Sequence, residues 1–120
     1  NRTVICDRFS DSTMVYQGGT NVELINLIKN LNELVVGLEP DLTLLIDVDP
    51  KKSLTRGLKR STKEDRFEMF GLEFQEKARL RYQSLAKELD RFQMVDGSGG
   101  IEATHELVWK EVSNHLNLSD

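Results

Sequence analysis

Cysteine is nearly missing from this 120-residue chain. Cys6 is the only one, so no disulfide can form within the chain. It lies in an apolar run, which predicts a small buried hydrophobe rather than a nucleophile, and a lone thiol fits a reducing cytoplasm. Histidine is scarce too. His105 and His115 lie ten residues apart with no cysteine near, which argues against a zinc site. No apolar run approaches the roughly 20 residues of a spanning helix, so no membrane segment is expected. Positive charge is not in excess. Net charge is −4, from 16 basic and 20 acidic residues, which argues against a general nucleic-acid binder. The phosphate-cradling string G-x-x-x-x-G-K-[ST] is also absent, and the cluster Gly97-Ser98-Gly99-Gly100 has no lysine after it. No internal repeat or low-complexity segment is present.

What remains is a soluble globular composition, 38% hydrophobic and 30% charged, of a length that fits one domain at most. Apolar strands alternate with amphipathic helices. Val4-Ile5-Cys6 marks a first strand over 3–6. Leu24, Ile28, Leu31 and Val35 give a helix over about 21–36 a wide apolar face, which predicts packing against a sheet. Asn21 fits its N-cap and Gly37 its stop. Residues 42–48, L-T-L-L-I-D-V, form a second buried strand, and Asp49-Pro50 opens the next helix. Residues 57–65 lack apolar periodicity and are expected to be a mobile loop. A long helix over about 67–89 carries Phe67, Phe70, Phe74, Ala78, Tyr82, Leu85 and Leu89 on one face. That stripe is read as core. A strand over 92–96 and a helix over 101–116 complete an α/β pattern with a parallel sheet.

Two stretches carry the chemistry. The first is D-R-F-S-D-S-T-M-V-Y-Q-G, residues 7–18, directly after the first strand. Ligands of open α/β sheets bind at the carboxyl ends of the strands. Arg8 there can hold a phosphate through two parallel hydrogen bonds, and Asp7 suits a hard cation such as Mg2+, directly or through water. The second stretch lies in residues 51–66, where seven basic residues meet two acidic ones in an otherwise acidic chain. That local excess implies an anionic partner.

The string D-R-x-x-x-S-x-x-x-Y-Q-G resembles the segment of thymidylate kinases that follows their third strand. The resemblance implies that Arg8 grips the acceptor monophosphate. It places Ser12 and Thr13 against thymine, Tyr16 against the deoxyribose where a 2′-hydroxyl would sit, and Gln17 at the pocket edge. Phe9 departs from the family's usual Tyr or His. Residues 54–68 resemble the lid of the bacterial type, here about 57–66, and the likeness continues through R-x-R-Y at 79–82. In that type the lid supplies a basic residue to the transferring phosphoryl group. Arg60 is the candidate, with Lys59 the alternative if the register shifts by one. Arg56 and Arg66 would hold or shape the lid.

Family members carry the missing glycine motif ahead of the residues matched here. The chain is therefore expected to be the C-terminal part of a single kinase domain, with the last three strands of a nucleoside-monophosphate-kinase-like sheet, inactive by itself. The whole would phosphorylate dTMP with ATP and Mg2+ in dTTP biosynthesis, as a cytoplasmic homodimer without nucleic-acid or membrane partners. A deoxynucleoside kinase of the same fold and a non-catalytic nucleotide-binding module are the alternatives.

Overall fold

The computed structural model describes residues 2–58 and 71–118, with the backbone alone given for Leu54 and for residues 56–58. The chain forms two compact units, Asn1–Glu39 and Pro40–Asp120.

In the first unit, a bend at Asp7 and Arg8 leads into a short helix, α1 (Ser10–Thr13). This runs into a π-helical segment, Met14–Gly18. Helix α2 (Val22–Val35) follows. Its entry is the one the sequence implies: the Asn21 side chain accepts from the Leu24 amide at 3.0 Å, which satisfies one of the orphan donors of the first turn. Its exit is equally local. Gly37 sits at φ 60°, and its amide donates to the Asn32 carbonyl at 3.1 Å. Glycine takes that left-handed conformation without a Cβ penalty. Within the unit α2 packs on the π segment, where Gly18 lies so close that a Cβ there would fall 2.8 Å from Ile25 Cγ1.

The second unit holds two parallel strands, β1 (Thr43–Asp47) and β2 (Phe92–Asp96), paired from Thr43 with Phe92 to Asp47 with Asp96. Their connection carries α3 (Pro50–Leu58) and α4 (Leu72–Glu88). Asp49 receives the Lys51 amide at 2.8 Å, and Pro50 takes the first helical position, where its missing N–H costs nothing. Helix α4 packs on both strands, and α5 (Ile101–Leu116) packs on β2. Phe92 and Val95 of β2 and Ala78 of α4 are buried, whereas β1, expected to be buried, is half-buried with Ile46 exposed. Of the stripe expected to be core, Ala78 is buried, Tyr82, Leu85 and Leu89 are half-buried, and Phe74 is exposed, while Phe67 and Phe70 lie outside the described residues.

Three further expectations are corrected. Residues 3–6 are not a strand, and Val4, Ile5 and Cys6 are exposed. An apolar run becomes a strand only by hydrogen bonding to a neighbour, and no described residue of its unit is in a strand. Cys6 loses its expected burial for the same reason. Second, α2 does not bury its apolar face: none of its residues is buried, and Leu27, Leu31, Leu34 and Val35 are exposed. Third, Gly57 and Leu58 are not in a loop, because α3 continues to Leu58. The remainder of the expected loop lies outside the described residues.

Candidate functional site

The backbone at Arg8 has φ 63°, a left-handed conformation that a long L side chain rarely adopts. Straight after it the Ser12 amide donates to the Phe9 carbonyl at 3.0 Å, and the chain turns into α1. This brings the Arg8 guanidinium over the ring of Tyr16, with its central carbon 4.7 Å from the ring centroid. Two of the residues picked from the sequence are thus brought together. Both are exposed, as are Asp7, Thr13 and Gln17, while Ser12 is half-buried. Asp11, between them, is 3% exposed, so a carboxylate that the sequence did not single out is the buried polar residue of this loop. Its only sequence signal was its place between Ser10 and Ser12, which does not distinguish a buried acid from a solvated one.

The π-helical segment Met14–Gly18 is the other feature not foreseen. Such segments are rare, and they concentrate at functional sites. Here the segment carries Tyr16 and Gln17.

In the second unit, the carboxyl edge of the sheet holds Asp47 and Asp96 side by side. Arg79 of α4 grips Asp47 with both arms of its fork, Nε to Oδ1 and Nη2 to Oδ2, each at 2.7 Å. Gln83, one turn further along α4, donates to Oδ2 at 3.3 Å. The hydrogen bond from Arg79 is the main reason the Asp47 carboxyl titrates below its ordinary value, and Asp47 raises the Arg79 guanidinium in turn. Asp96 is held low by Ser98, first through its side-chain hydroxyl and then through its amide, which donates to Oδ1 at 2.8 Å. Arg79 is the first residue of the R-x-R-Y string, so that string ties the helix to the strand end.

The basic stretch is partly engaged within its own unit. Lys51 lies 3.8 Å from Glu76 of α4, and the Lys52 charge helps to hold Asp96 ionised. Arg56 is on α3, with its side chain not described, and Lys59, Arg60 and Arg66 lie outside the described residues. Among the described residues there is no cluster of three metal-ligating side chains, and no helix is long and apolar enough to cross a membrane.

Parallel strands joined through helices, with charged groups at their carboxyl edge, define an α/β protein of the kind that handles ligands at strand ends. A family model for thymidylate kinase matches residues 1–108, and the chain belongs to that family. The membership implies a P-loop nucleoside-monophosphate-kinase fold. Among curated relatives, the chain is similar to the thymidylate kinases of Ruegeria pomeroyi, 44% identical over 97% of the chain, and of a Jannaschia species, 46% identical over 96%. It is 51% identical to that of Dinoroseobacter shibae over 81% of the chain. It spans about half the length of these relatives: 56%, 56% and 47%.

Proposed function

We propose that the complete protein transfers the γ-phosphate of ATP to dTMP, giving dTDP and ADP. The observation that carries this is Arg8, set at a bend with its guanidinium over the Tyr16 ring inside the string D-R-x-x-x-S-x-x-x-Y-Q-G. An exposed fork at that place suits a phosphate dianion, and the adjoining aromatic suits a sugar edge without a 2′-hydroxyl. Ser12 and Thr13 would face the base, and Gln17 the pocket rim.

Phosphoryl transfer asks a protein mainly for alignment and for positive charge around the transferring group. Arg8 orients the acceptor. Arg60, or Lys59 one residue earlier, brings charge to the transferring phosphoryl, and Arg56 and Arg66 steady the lid. A charge that arrives with lid closure also excludes water. Mg2+ keeps several waters and takes one or two carboxylates beside substrate phosphates. Asp7, an exposed carboxylate next to Arg8, fits a water-mediated hold on such an ion. When bound, the ion neutralises charge on phosphate oxygens. The protein would work as a cytoplasmic homodimer, without nucleic-acid or membrane partners, in dTTP supply; gel filtration tests the dimer.

A deoxynucleoside kinase would share the fold and a basic lid, but would act on a 5′-hydroxyl. The deciding assay offers the complete protein ATP with either dTMP or thymidine. Turnover of dTMP alone supports the proposal. Turnover of thymidine alone supports the second enzyme, and turnover of neither, with nucleotide still bound, supports a non-catalytic binding module.

A further inference from the structure

Three local features converge on one pair of side chains. Arg8 takes a left-handed backbone conformation, the π-helical segment carries Tyr16, and the guanidinium carbon lies 4.7 Å from the ring centroid. A guanidinium lying over a ring is attracted through its face, while its N–H donors point outward in its own plane. Arg8 is itself exposed, so the group held over the ring stays within reach of an anion. Tyr16 remains 39% exposed, so the pair is open to a ligand.

From this geometry we infer that Tyr16 is a positioning residue for Arg8. It holds the guanidinium in place before the acceptor arrives, so that phosphate recognition depends on the aromatic ring. This rests on the reading of Arg8 as the phosphate grip, and it adds a coupling which that reading does not contain. Contact with the sugar alone gives a different result. Both dTMP and thymidine carry the deoxyribose, so loss of a sugar contact weakens both equally. Loss of a positioning ring weakens dTMP more.

The test is calorimetric titration of the complete protein with dTMP and with thymidine, read as the ratio of the two affinities. Arg8→Gln is expected to collapse the preference for dTMP. Tyr16→Leu is expected to lower it by about 2- to 30-fold, the range that cation–π contacts span, whereas Tyr16→Phe keeps it, because the ring face survives. In an Arg8→Gln background Tyr16→Leu should lower it no further. Tyr16→Met, unbranched and of similar reach, serves if the leucine variant fails to fold. If Arg8→Gln collapses the preference while Tyr16→Leu weakens both ligands alike, the coupling is refuted and the phosphate grip stands. If Arg8→Gln leaves the preference intact, the phosphate grip is refuted and the coupling falls with it.

Discussion

Replacing Gly97 by alanine should destabilise the fold by steric conflict alone. Gly97 is buried just past the end of β2, where its amide donates to the Asp47 carbonyl at 2.9 Å and prolongs the parallel ladder. Its backbone is not in the left-handed region, so an added methyl meets no conformational penalty. What it meets is the neighbouring strand: the new Cβ would lie 2.6 Å from Val48 Cγ2, 2.7 Å from Ile46 Cγ2 and 3.4 Å from the Asp47 carbonyl oxygen. Both methyl groups belong to β-branched side chains, which have one stiff torsion and no flexible far end to swing away. The ladder holds Ile46, and Val48 follows directly on its last residue, so relief requires a shift of the strand pair. Overpacking of this kind costs about 1–3 kcal/mol, against a net domain stability of about 5–15 kcal/mol. For a domain of roughly 150–250 residues each kcal/mol shifts Tm by about 2–4 °C, so a fall of about 2–12 °C is expected. Scanning calorimetry of the complete protein reads it. A Tm unchanged within a degree would refute the close approach of Gly97 to the neighbouring strand.

Two further predictions concern charge. Asp47 titrates below its ordinary value because Arg79 donates to it, so its stabilisation is present above the unfolded carboxylate value of about 3.9 and is lost as pH falls through the lower folded value. The gap in Tm between wild type and Asp47→Asn should therefore be constant near neutrality and shrink below about pH 4; a gap that persists unchanged in acid contradicts the ion pair. In the lid, Arg60→Ala should lower kcat more than it weakens dTMP binding, because its contact forms chiefly in the transition state. A larger kcat loss in Lys59→Ala would shift the register by one residue, and no loss in either would move the catalytic charge elsewhere.

The parts of this fold that were legible in the sequence are those fixed by neighbours along the chain. Asn21 caps its helix and Gly37 ends it through contacts within five residues, and both were readable from residue type. Strand β2 and helix α5 have the expected limits, and β1 is one residue shorter at each end. Residues 3–6 failed because a strand is a property of two segments, and one segment's apolar character cannot supply its partner. The grip of Arg79 on Asp47 spans 32 positions. Residue type alone does not show which helix face meets which strand end, so this contact could not be read. At the candidate site, the residues were singled out through the string's resemblance to thymidylate kinases, and their arrangement was not legible. An arginine with positive φ leaves no mark in a sequence, and neither does a π turn, yet these are what bring Arg8 and Tyr16 into contact.

The central claim is that Arg8 holds the acceptor phosphate, and the most direct test is the kcat/KM of the complete protein for dTMP with Arg8 replaced by alanine. A charge-assisted hydrogen bond contributes about 1.5–3 kcal/mol, so a loss of about 10- to 150-fold is predicted. Arg8→Lys should recover only part of it, because a point charge cannot reproduce the fork. Near-normal kcat/KM for dTMP in Arg8→Ala would contradict the account.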